Sequence, residues 1–183
     1  MNAGLFTPLR WLPLLGCLLL LAGCPKKQVV APKAAKTSFY QIALPLVNKT
    51  ELSFADFQDK VVLLSTFHSS CTDCLEADRR LKLLYKKYRA QGLYAMGIAL
   101  DNPKQNLMPL LAYMSLIKHN YTIVLSNDEL RKGNTVLGKL NVVPMQLLVD
   151  RCGKVRYRFV SRRLTKKLPS AIETLLKEKK SCR

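Results

Sequence analysis

Two cysteines three positions apart, Cys71 and Cys74, follow the apolar run Val61-Val62-Leu63-Leu64-Ser65-Thr66-Phe67 and the polar stretch His68-Ser69-Ser70. The run predicts a buried strand, the polar stretch the turn that leaves it, and Cys71 the point where a helix begins. Cysteines so spaced across the first turn of a helix can close a disulfide with little backbone movement. The first of them can also be held as a thiolate by the unpaired amides of the helix N-terminus. A thiolate is the nucleophile of thiol–disulfide exchange, and such sites lower a thiol pKa from about 8.5 towards roughly 3.5 to 7.5. Cys71 is thus the expected attacking thiol, and Cys74, one turn deeper, the thiol that resolves a mixed disulfide.

Half a zinc site has the same spacing. A complete one needs two further ligands, yet the histidines are His68 and His119, and Cys152 and Cys182 stand alone. The expectation is a redox pair with no metal and no cofactor. A merely structural disulfide, or a copper- or zinc-handling module built on Cys71, Cys74 and His68, would use the same residues.

Around this pair, the elements that must position it follow the hydrophobic pattern. Cys74, Ala77, Leu81, Leu84, Tyr85 and Tyr88 recur at helical spacing, with Gly92 as a C-terminal stop. Leu93 to Leu100 predicts a second strand, and Asp101-Asn102-Pro103 the cap of a helix towards Lys118, with Pro109 as a kink or as its true start. Tyr121 to Leu125 predicts a third strand, and Ser126-Asn127-Asp128 the cap of a brief helix through Leu130 to Leu140. Pro144 opens a further strand, Gly153 sits in a tight turn, Val155 to Val160 returns, and a last helix covers about Thr165 to Lys180. Upstream, Phe39 to Val47 is an apolar run broken at Pro45 and followed by a turn-like Asn48-Lys49-Thr50. Strands alternating with helices, with an antiparallel hairpin near the end, indicate a mixed α/β sheet. With 183 residues, 49% of them hydrophobic, the chain can bury one core.

The N-terminus is a separate matter. Trp11 to Leu21 is an apolar run too short to span a bilayer, which needs about 20 such residues, but suited to the core of an export signal. Its ending, Leu21-Ala22-Gly23-Cys24, resembles the lipobox of bacterial lipoproteins, in which the cysteine is lipidated and becomes the new N-terminus. Residues 1–23 then form a signal peptide, 24–37 a lipidated, basic, proline-punctuated tether, and 38–183 the folded domain. An ordinary secretory signal is the alternative, and either places the domain outside the cytoplasm, where stable disulfides persist. Four cysteines remain beyond Cys24. They allow three pairings, and a Cys71–Cys74 pair leaves Cys152 and Cys182 joined to one another or as two unpaired surface thiols.

Lys and Arg number 30 against 12 acidic residues, and 12 of the basic side chains fall after Asp150 with only Glu173 and Glu178 opposing them. A lipid-tethered domain of this charge would be drawn to anionic head groups or acidic partners within a Debye length. Nucleic acid, the other usual partner of such charge, is not expected of an exported lipoprotein.

The order strand, Cys-x-x-Cys at a helix start, βαβ, Val143-Pro144 opening a strand, and Asp150-x-x-Gly153-Lys154 in the next turn resembles the thioredoxin superfamily. The tether, the approach Asp59-Lys60-Val61-Val62-Leu63-Leu64 and a helix-strand insertion before Val143-Pro144 resemble its membrane-anchored TlpA/ResA-type thiol-disulfide oxidoreductases. This implies a thioredoxin-like α/β fold in which Cys71 is the nucleophile, Cys74 the resolving thiol, Pro144 a cis-proline facing them, and Val143 a backbone partner for an extended substrate. Only about 5% of X–Pro bonds are cis. It also implies protein thiols or disulfides as substrates, among them apocytochrome c, and a membrane thiol as electron donor. If the fold is of this kind, the Cys152 turn and the end of the last helix share the face opposite Cys71, where a Cys152–Cys182 disulfide would pin that helix. The sequence departs from the family in three places. Ser70 stands where Trp is common, Ser65 replaces the buried acid of thioredoxin, with His68 or Glu76 as candidate substitutes, and Asp73 lies between the cysteines. A carboxylate there opposes the Cys71 thiolate, which favours a reducing pair over the oxidase or isomerase alternative. Peroxidase chemistry is disfavoured, because peroxiredoxins need Pro and Thr where this chain has Leu64 and His68.

Overall fold

All seven residues of Val61–Phe67 are buried, as a strand of this composition must be when both of its faces are covered. In the computed structural model, which describes residues 36–102, 104–160, 167–180 and 182, this segment is the third strand in chain order. The elements are β1 (Ala43–Pro45), β2 (Glu51–Ser53), β3 (Val61–Phe67), α1 (Thr72–Tyr88), β4 (Leu93–Ala99), α2 (Met108–Ile117), β5 (Thr122–Leu125), α3 (Asp128–Lys132), β6 (Met145–Val149), β7 (Val155–Val160) and α4 (Lys167–Lys177). Strands β1 and β2 form a small hairpin, and the other five form one sheet in the order β5-β4-β3-β6-β7. Within it β3 runs parallel to β4 and antiparallel to β6. The result is the mixed α/β sheet flanked by helices that the pattern indicates, with α2 and β5 standing before the Val143-Pro144 strand. The export signal, Cys24 and nearly all of the tether lie outside the described residues.

The period of two along β3 divides the core. Val61, Leu63 and Phe67 meet Cys74, Ala77 and Leu81 of α1, Leu110 and Tyr113 of α2, and Ile172 and Leu175 of α4. Val62 and Leu64 face the opposite layer, built from Phe39, Phe54, Phe57, Leu130, Leu137 and Leu140. Because β3 is clamped between these layers, the junction where it hands over to α1 is fixed on both sides.

Two elements differ from the sequence reading, and a third settles one of its alternatives. Helix α2 starts at Met108, so Pro109 marks its true start rather than a kink, in a first turn where a missing N–H costs nothing, and Asp101 does not cap it. Helix α3 spans only Asp128–Lys132, capped by Asn127, because Gly133 takes a left-handed conformation with φ +81° and ends it. Leu137 and Leu140 still reach the core, but from irregular chain. The hairpin of β1 and β2 has no counterpart in the sequence pattern, since strands of three residues are too short to show an alternation.

At the sheet end remote from Cys71, α4 is tied down twice. Arg151 donates to the carbonyls of Leu175, Leu176 and Glu178, satisfying acceptors that a helix C-terminus leaves open. Cys152 and Cys182 form a disulfide that closes a 30-residue separation. Replacing both by serine is expected to lower the free energy of unfolding by about 2 to 4 kcal/mol, read from urea denaturation. An unchanged midpoint would mean that Arg151 alone secures the helix.

Candidate active site

Cys71 occupies the N-cap of α1, and its Sγ accepts the Cys74 amide at 3.2 Å. The two sulfurs are joined in a disulfide with the Cα atoms 5.3 Å apart. The pair is unequal: Cys71 is partly exposed, whereas Cys74 is 0% exposed. An incoming thiol can therefore reach only the Cys71 sulfur. After reduction, the same amide and the dipole of a 17-residue helix favour a thiolate at that position.

The turn that presents Cys71 is tied to the end of the neighbouring strand. Asp101, just beyond β4, is buried and accepts from the Ser69 amide at 3.1 Å and from Ser69 Oγ. Its backbone carbonyl accepts from Arg131 of α3 at 2.9 Å, and Arg131 also donates to Ser126 Oγ beyond β5. His68 Nε2 lies 3.8 Å from Asp101 Oδ1, while its Nδ1 accepts the Ser70 amide at 3.2 Å. The half-exposed His68 ring is thus part of the rim beside Cys71.

The second wall of the site is the loop before β6. The Val143-Pro144 peptide is cis. Thr66, at the end of β3, holds this loop on both sides through one hydroxyl: Oγ1 donates to the Val142 carbonyl at 2.7 Å and accepts the Met145 amide at 3.1 Å. His68, Ser70, Cys71, Leu100, Arg131, Leu140, Asn141 and Val143 enclose a groove of about 470 Å³. A smaller groove of about 280 Å³ flanks Cys71 on its other side, against Leu75, Pro109, Ala112 and Leu116.

Cys71, Cys74, His68, Val143 and Pro144 are therefore brought to one end of the sheet, whereas Cys152 and Cys182 are at the other. Asp73 is exposed in the first turn of α1. Glu76 pairs with Arg80 at 2.7 Å on the helix surface, away from the cysteines' buried side. Ser65 is buried and lies 3.5 Å from Gln146 Nε2, so no acid sits beneath the pair on the central strand. Among the described residues no three His, Cys, Asp or Glu side chains are grouped to hold a metal ion. Cys24 lies outside the described residues. Sequence reasoning missed the positioning roles of Thr66, Asp101 and Arg131. The signal for Asp101 was its place directly after a strand parallel to the cysteine-bearing one, where side chains converge at the carboxyl edge of a sheet.

Comparison with known proteins extends this geometry. The model of the AhpC/TSA family matches residues 36–158. The structure is similar to a thioredoxin-family thiol:disulfide interchange protein from Chlorobium tepidum TLS, with 20% identity and a TM-score of 0.63 over 79% of this chain and 99% of that one. It is similar to the thioredoxin domain of a thiol-disulfide oxidoreductase from Bacteroides vulgatus, with 18% identity and a TM-score of 0.62 over 79% and 99%. A secreted Mycobacterium tuberculosis disulfide oxidoreductase, homologous to E. coli DsbE, matches with 12% identity and a TM-score of 0.57 over 75% and 95%. At these identities the likeness is one of fold. No curated protein matches the sequence.

Thr66→Val keeps the shape of the side chain but strands the buried Met145 amide. The expected loss is about 1 to 3 kcal/mol of unfolding free energy in urea. A change within about 0.5 kcal/mol, the range of an ordinary surface substitution, would contradict the assigned role.

Proposed function

Because the chain belongs to the AhpC/TSA family within the thioredoxin superfamily, and is a thiol-disulfide oxidoreductase, we propose that it reduces disulfides of exported proteins outside the cytoplasm. The observation that carries this reading is the inequality of the pair, a reachable Cys71 at a helix N-terminus bonded to a buried Cys74. In the reduced protein the Cys71 thiolate attacks one sulfur of a substrate disulfide and releases the other as a thiolate. Cys74 then attacks Cys71, forms the Cys71–Cys74 bond and frees the second substrate sulfur. The groove beside Cys71 receives the segment around the substrate cysteine, with the Val143 backbone as its hydrogen-bonding partner and Pro144 closing the wall.

Direction rests on charge. The Asp73 carboxylate in the first turn of α1 opposes an anion on Cys71, which destabilises the reduced thiolate form that makes strong oxidants oxidising. Leu64 and His68, where peroxiredoxins have Pro and Thr, argue against the peroxidase chemistry found elsewhere in the family. The extracytoplasmic setting is inferred from the signal-like run and Leu21-Ala22-Gly23-Cys24, with Cys24 as the lipidated residue. Among the described residues no helix is long and apolar enough to cross a membrane. On this reading a lipid anchor and the basic surface keep the domain at the bilayer, within reach of a membrane thiol that regenerates the dithiol. Apocytochrome c is one candidate substrate.

The pair is expected to equilibrate with glutathione at a potential near the thioredoxin value of about −270 mV. A potential above roughly −180 mV, that of protein disulfide isomerase, would mark an oxidase or isomerase instead. Cys71→Ser is expected to abolish reduction of insulin disulfides, while Cys74→Ser accumulates a mixed disulfide on Cys71. Retained turnover in Cys71→Ser would overturn the assignment.

A further inference from the structure

The two grooves that meet at Cys71 differ in charge, and the difference comes from one side chain described so far only as a brace. Arg131 of α3 is half-buried and lines the groove of about 470 Å³ with Cys71, His68, Asn141 and Val143. Its hydrogen bonds among the described residues run through Nε and Nη2. They reach Ser126 Oγ at 3.0 and 2.9 Å, the Asp101 carbonyl at 2.9 Å and the Leu100 carbonyl at 3.4 Å. All of these acceptors are neutral, so they fix the plane of the guanidinium without cancelling its charge. An arginine stays charged throughout the physiological range, and its planar fork matches the two oxygens of a carboxylate.

The acidic groups nearby are otherwise placed. Asp101 turns its carboxylate to the Ser69 amide and hydroxyl, with His68 at 3.8 Å. Asp128 and Glu129 are exposed in the first turn of α3 and line a different groove, which Arg131 also borders, with Asn102 and Lys104. Asp73 is exposed on the first turn of α1 and lines neither groove beside Cys71. Among the described residues on the wall of the larger Cys71 groove, Arg131 alone carries a fixed charge.

The groove of about 280 Å³ on the other side of Cys71 has a different character. Thr72, Leu75, Pro109, Ala112 and Leu116 line it, and none of its described lining residues is charged. An extended segment whose cysteine meets Cys71 therefore runs into a cation on one side and an uncharged, largely apolar wall on the other. A half-buried charge with neutral partners attracts an opposite charge more strongly than one on the open surface, where water screens both.

We propose that Arg131 reads a carboxylate on the substrate segment beside its reactive cysteine. The preferred substrates are then chains with Asp or Glu on the flank of the disulfide that enters the larger groove, and an uncharged flank on the other side. This rests on the reading of Cys71 as the attacking thiol of a protein disulfide reductase. The exchange itself is the one described above: the Cys71 thiolate bonds to one substrate sulfur, and the other sulfur leaves with the electron pair of the broken bond. Arg131 touches neither sulfur. It holds the segment so that the substrate sulfur stays in line with Cys71.

Because the chain carries a net charge of +18, any acidic peptide is drawn to it, and the test holds peptide charge constant. The full chain is used, with Cys17 and Cys24 alkylated before the Cys71–Cys74 pair is reduced. Three peptides of one composition carry a single cysteine joined to thionitrobenzoate. Their one Glu stands about two residues before the cysteine, about two after it, or at the far end of the peptide. Attack by Cys71 on the peptide sulfur releases thionitrobenzoate, which is followed by absorbance, with the rate of Cys71→Ser subtracted. One of the near isomers is expected to react at least about fivefold faster than the remote one, and Gln in place of that Glu to remove the advantage. In Arg131→Gln the ratio is expected to fall to about one. Where Arg131→Gln does not fold, Arg131→Lys serves: it keeps the charge but not the fork, and the ratio is expected to fall by at least about twofold. Each ratio is taken within one protein, so a general loss of activity in a variant cancels. Equal rates for the three isomers in wild type, or an unchanged ratio in the folded variant, overturn the proposal. Wild type that releases no thionitrobenzoate above the Cys71→Ser rate overturns the redox reading itself, and the proposal with it.

Discussion

The site depends on one junction, where a strand buried on both faces ends and a helix begins with a thiol at its cap. Burial of Val61–Phe67 between two apolar layers fixes where the chain emerges. The unpaired amides of α1 then meet Cys71 Sγ, while the first turn carries Cys74 back under the surface. Accessibility of one sulfur and protection of the other are consequences of the same packing. Their chemistry follows from that inequality rather than from any special residue type.

Around the junction the structure places polar locks at points where apolar packing has no directional control. Thr66 holds both ends of the Val143-Pro144 loop with one hydroxyl, and Asp101 holds the Ser69 turn. Arg131 joins the ends of β4 and β5 through Asp101 and Ser126. Each lock is buried or half-buried, so its hydrogen bonds are worth more than they would be in water. The opposite end of the sheet is secured differently, by a disulfide and by Arg151 on the end of α4.

The sequence made the central features legible because each has a strong local signature. A β-branched run leading to Cys-x-x-Cys, and a helical repeat from Cys74 to Tyr88, leave little freedom of interpretation. Of the two starts the pattern allows for α2, the one at Pro109 holds, and the cap at Asp101-Asn102-Pro103 fails because Asp101 is drawn to Ser69, 32 residues away. Helix α3 is shorter than the pattern suggests because Leu137 and Leu140 continue an apolar pattern after Gly133 has already turned the chain. The positioning roles of Thr66 and Asp101 are not legible in the sequence for a common reason. Their partners are remote in sequence, and a polar residue in an apolar run carries no local mark of what it will face.

The most direct test of the account is the rate at which each thiol of the reduced protein is alkylated by iodoacetamide at neutral pH, resolved by peptide mass. The account predicts that Cys71 reacts first, as a partly exposed thiol favoured as a thiolate, and that Cys74 reacts at least about tenfold more slowly because burial shields it. Equal rates, or Cys74 reacting first, would contradict the division into one attacking and one resolving thiol.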